Sequence, residues 1–84
     1  MITWDELIRL GGCTHDELVR FVAESWVEPG ADDTFEEADV ARVRLIVELR
    51  RDLAIDDEAM PLVLSLLDQV YTLRRQVRAL CEQI

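Results

Sequence analysis

Lysine is absent from the 84 residues, and the nine positive charges, all arginine, face eighteen acids for a net charge of −9. That balance argues against a protein that tracks phosphates along a nucleic acid and against a polybasic membrane anchor. Histidine occurs once, at His15, so neither Ser25 nor Ser65 has a base near it in sequence to make a nucleophile. The glycines are Gly11, Gly12 and Gly30, too scattered for a phosphate-cradling loop. The two cysteines, Cys13 and Cys81, stand at opposite ends of the chain and, without an export signal, are expected as free thiols. A metal held by Cys13 and His15 would need two further ligands that no CxxC or HxxxH spacing supplies. The longest apolar run, Ala59–Leu64, is far too short for a bilayer, and the opening MITWDEL lacks the basic and apolar regions of a signal peptide. The sequence therefore reads as a cytoplasmic protein, not an enzyme, with no cofactor or metal.

What is present is globular: half the residues are hydrophobic and about a third are charged. A chain this short buries only roughly 60–65% of its unfolded surface, which leaves its stability thin. Charge is distributed unevenly. Residues 1–41 hold eleven acids and two arginines, whereas residues 42–84 hold seven of each sign. The N-terminal half thus carries the whole net charge and a field that attracts basic partners.

Thr3 followed by Glu6 is a capping box that opens a short helix over Trp4 to Leu10, with Trp4, Leu7 and Ile8 on one face and Gly11-Gly12 as its stop. Thr14 and Glu17 repeat the box and open a second helix from His15 to about Glu24, with Leu18, Phe21 and Val22 inward. Two short capped helices joined by a glycine-containing turn outline a helix-turn-helix. Trp26-Val27, the Pro29-Gly30 break, polar turn formers and Phe35 then read as a minimal β-hairpin wing. A third helix follows from Glu36 to about Asp52, with Val40, Val43, Ile46, Val47 and Leu49 at helical intervals. Asp56 is placed to cap a last helix running to the C-terminus, and Pro61 is expected to delay or kink its start. Val63, Val70, Val77 and Ile84 recur at one heptad position and Leu66, Leu73 and Leu80 at the other. The seam either packs inside the chain or joins two chains. A helix of about 25 residues exceeds what so small a domain can cover, which favours a homodimeric coiled coil of open strand direction. The expected architecture is mainly α: a winged helix-turn-helix with its third helix over residues 1–55, and a dimerisation helix over 56–84.

A helix-turn-helix with a wing normally suggests DNA, but its second helix carries Asp16, Glu17 and Glu24 against a single Arg20, and the wing adds Glu28, Asp32 and Asp33. Such acids repel phosphate, and Arg42, Arg44, Arg50 and Arg51 read as partners for the protein's own carboxylates. The inverted charge points to a protein partner with a basic face.

The segments GCTHDELVRFVAESWVEP and LRRDLAIDDEA followed by LVLSLLDQV, in this order over nearly the whole chain, resemble the CbpM chaperone-modulator family, which is similar to a reduced MerR-type winged helix. Pro61 departs from that likeness, standing a few positions late for the last helix. The resemblance implies an inhibitor that binds the J-domain of a CbpA-like, DnaJ-type co-chaperone and blocks its work with the Hsp70-type chaperone DnaK. The residues expected to meet the basic helix of such a J-domain are Asp16, Glu17, Glu24, Glu28, Asp32, Asp33, Glu36 and Glu37, with Trp26 and Phe35 as apolar anchors unless they simply close the small core. The competing reading is a small MerR-like transcription regulator that uses the same fold on DNA; a third is a purely structural dimerisation module.

Overall fold

Both expected capping boxes form. The Thr3 hydroxyl accepts the Glu6 amide at 3.3 Å while the Glu6 carboxylate accepts the Thr3 amide at 3.3 Å, and Thr14 and Glu17 do the same at 3.1 and 3.0 Å. These pairs satisfy amides that a helix start leaves orphaned and fix where α1 (Trp4–Gly11) and α2 (His15–Ala23) begin. α1 ends at Gly12, whose φ of 73° suits a residue without a side chain. In this computed structural model, which describes residues 1–83, α3 (Glu37–Arg51) and α4 (Met60–Gln83) complete a mainly helical chain.

No hairpin forms among the described residues, which corrects the expected wing. The amides that would have paired as a first strand are used elsewhere: Trp26 and Val27 both donate to the Phe21 carbonyl, wrapping the end of α2 through Ser25 in the left-handed conformation. A short 3₁₀ turn (Ala31–Asp33) follows, closed by the Gly30 amide on the Thr34 carbonyl at 2.8 Å and by the Thr34 hydroxyl on the Ala31 carbonyl at 2.9 Å. Asp32 and Asp33 both take positive φ in it, a conformation that aspartate tolerates better than most residues. Phe35 instead makes a single antiparallel bridge with Ile2, with amide-carbonyl bonds of 2.9 and 2.8 Å.

Leu7, Leu18, Phe21, Val27, Phe35, Val43, Ile46 and Met60 fill the core, so every helix contributes to it. α1 and α3 approach so closely at Gly11 that a Cβ there would collide with the Val43 side chain. Pro61 lies in the first turn of α4, where its missing amide hydrogen has no helical acceptor to lose. Asp56 caps the turn before that helix rather than the helix itself: its carboxylate accepts the Ala59 amide at 2.8 Å and its carbonyl the Met60 amide at 3.1 Å. α4 then runs for about 36 Å. Only its first two turns engage the core, through Met60, Val63, Leu64 and Leu67, and the remainder projects, giving the chain extents of 47 × 30 × 19 Å. No helix among the described residues is long and apolar enough to cross a membrane.

Candidate partner-binding surface

α2 is held against α3 and the α3–α4 loop by a continuous set of ion pairs. Glu17 meets Arg51 at 2.8 Å and Arg50 at 3.4 Å; Asp57 meets Arg20 at 2.6 Å and Arg50 at 3.3 Å. Arg50 also lies over the Phe21 ring, 5.4 Å from its centroid, so the pairs are seated on the core. Partial burial works against the charge on Glu17, but the Thr14 amide and hydroxyl and the Arg51 and Arg50 guanidiniums outweigh it and hold the carboxyl below its ordinary value. Cys13 shows the opposite outcome, because burial and the neighbouring Glu17 carboxylate push its thiol up. It is buried and Cys81 is exposed, and both are free.

The second brace is Arg42. Its Nε donates to the Trp26 carbonyl at 3.0 Å and its Nη1 to Asp68 at 2.8 Å, tying the end of α2 to α3 and α4. Arg44 donates to the Leu10 carbonyl at 2.9 Å, and Arg51 to the Gly12 carbonyl at 3.2 Å. Of the six arginines before α4, five are thus bound to the protein's own oxygens; the carboxylate partners expected from sequence form for Arg42, Arg50 and Arg51, whereas Arg44 takes a backbone carbonyl. Arg9 has no such partner among the described residues.

The expected contact residues fall into two groups. Asp16, Glu24, Glu28, Asp32, Asp33, Glu36 and Glu37 are exposed on α2, on the turns and at the start of α3. Glu17, Trp26 and Phe35 are not available as expected. Glu17 is committed to its cap and two arginines. Phe35, 1% exposed, is core against Trp4, with ring centroids 5.8 Å apart. Trp26, 5% exposed, packs against Phe21 with ring centroids 5.9 Å apart and planes tilted by 34°, and contributes a wall, not a protruding anchor. Both wing aromatics went inward because a chain this small has few large side chains with which to fill its centre. The indole N–H groups of Trp4 and Trp26 are buried with no hydrogen-bond acceptor among the described residues.

On α4, Leu66, Val70, Leu73, Val77 and Leu80 are between 42% and 61% exposed and form a continuous apolar stripe. Val63 departs from that set by packing against the chain's own core, and Ile84 lies outside the described residues. Sequence reading missed the concavity where α2 ends against α3 and α4: a groove of about 640 Å3 with Trp26, Leu64 and Leu73 as apolar lining and Glu24 and Asp68 as carboxylates. Its key pair, Arg42 with Asp68, spans 26 positions, and no local pattern marks it.

The family model described as MerR HTH family regulatory protein matches residues 2–82. The chain belongs to that family. No curated protein and no solved structure matches it. In a MerR-type helix-turn-helix the second helix is the one positioned to enter a DNA groove. Here that helix exposes Asp16 and Glu24, and its single arginine is paired with Asp57.

Proposed function

We propose that this MerR-family chain is a non-enzymatic cytoplasmic inhibitor of a co-chaperone, of the CbpM type. It binds the basic face of a CbpA/DnaJ-type J-domain and keeps that face from the Hsp70-type chaperone DnaK. One observation carries the reading: the exposed charge of the helix-turn-helix is acidic, while all the arginines before α4 except Arg9 are turned onto the protein's own oxygens. Affinity for duplex needs cations free to displace counterions, and five of the six body arginines are occupied. A cationic polypeptide meets the opposite condition, since complementary potential speeds its encounter and fixes its register. The protein acts as a homodimer through the α4 stripe, whose exposed leucines and valines gain by mutual burial.

Titration calorimetry of the chain with the J-domain of a CbpA-type co-chaperone tests the reading. Binding is expected at low salt and weakens as salt rises; absence of heat at low salt refutes it. Family membership favours one second reading, a MerR-like transcription regulator. A gel shift against genomic fragments separates the two: the acidic α2 predicts no retardation, and sequence-dependent retardation would establish the regulator.

A further inference from the structure

The acids of this surface are not equivalent, because only some of them border a cavity. Asp32 and Asp33 sit on the exposed 3₁₀ turn, whereas Glu24 and Asp68 flank the groove between the end of α2, α3 and α4. A second concavity continues around Trp26, where Glu28 and Asp39 add carboxylates. Arg42 is the one cation bordering either hollow among the described residues, and Asp68 already neutralises it at 2.8 Å. The net field within is therefore negative over an apolar lining of Trp26, Leu64 and Leu73. The groove follows α4 from Pro61 to Gln76, which is about 22 Å, the length of a four-turn helix.

We infer that this groove, not the acidic turn at Ala31–Asp33, seats the partner, and that the occupant is a cationic amphipathic helix. Its apolar side chains enter between Trp26, Leu64 and Leu73, and its basic side chains meet Glu24 and Glu28 at the margins. Helix-in-groove recognition of this kind draws affinity from the apolar anchors and orientation from the rim charges. The groove face of α4, marked by Asp68, Gln69 and Thr72, lies about 120° around the helix from Leu66, Val70 and Val77. The two faces meet at Leu73, which lines the groove and belongs to the stripe, so light scattering accompanies every variant below. Trp26, whose buried indole N–H has no acceptor among the described residues, lines both hollows.

The identity of the occupant as a J-domain helix rests on the function proposed above, and the experiment separates the two claims. Calorimetry of the full chain with a CbpA-type J-domain is run on the wild type, Glu24→Arg, Gln69→Arg and the double variant Asp32→Asn/Asp33→Asn, whose side chains suit the positive φ of the turn. All four positions are exposed, so circular dichroism is expected to be unchanged. Glu24→Arg and Gln69→Arg are each expected to weaken binding by about tenfold or more, and the turn variant by less than about threefold. Loss confined to the turn variant overturns the groove and leaves the inhibitor reading standing. No binding by the wild type overturns both. Light scattering supplies the remaining outcome: a shift from dimer to monomer in Glu24→Arg would mean that a second copy fills the groove, which also overturns the proposal.

Discussion

The body of the protein and the outer part of α4 solve opposite problems. Residues 1–60 hold sixteen acids and six arginines, a net charge of −10, while residues 61–84 hold two acids and three arginines, a net of +1. The body has a closed core of leucines, valines and aromatics, and five of its six arginines brace the helices. The outer α4 has neither. From Val70 onward every described residue is exposed, and the apolar stripe there has nothing in the chain to cover it. The body, closed by the first two turns of α4, presents negative charge; the projecting part of α4 carries apolar side chains that the chain itself leaves uncovered.

The comparison breaks most visibly at Leu73. Leu73→Asp places a charge in the stripe and is expected to convert the proposed dimer wholly to monomer in light scattering, with helix content of the body retained because Leu73 makes no core contact. In the body the same kind of change acts on folding instead. Phe21→Ala, at a fully buried position, is expected to cost about 3–5 kcal/mol in urea unfolding, a large share of what a chain this size possesses. Gly11→Ala sharpens the point, since its new Cβ meets Val43; the expected loss is about 1–3 kcal/mol by the same measurement.

A smaller, pH-dependent effect belongs to Glu17. Its carboxyl is depressed in the folded chain, so its contribution is present above the ordinary carboxylate range of about 4 and is lost as pH falls through the lower folded value. Glu17→Gln is expected to lose about 1 kcal/mol at neutral pH and to show a flatter stability profile through that acid window in denaturant titrations. Smallest of all, Ala54 holds a positive φ of 52° in the turn after α3, and Ala54→Gly is expected to raise stability by about 0.5–1 kcal/mol.

Local rules made much of this legible. The two capping boxes, the glycine stop after α1, the bounds of α1, α2 and α3 within a residue or two, and the late start of α4 at Pro61 all follow from side chains within a few positions of each other. The wing failed because strand pairing is not local: Trp26 and Val27 read as a strand by type, yet their amides close the end of α2, and Phe35 pairs with Ile2 across the chain. Glu17 was misplaced for the same reason. Its role as a cap is visible three residues away, but its arginines lie more than thirty positions on. The groove was invisible because it exists only once Arg42 has joined Trp26 to Asp68.

The most direct test of the account is functional. ATP hydrolysis by DnaK, stimulated by a CbpA-type co-chaperone, is followed while this chain is added. The account predicts that stimulation falls to the rate of DnaK alone and is restored by excess co-chaperone. Stimulation that persists undiminished in the presence of a large excess of the chain would contradict it.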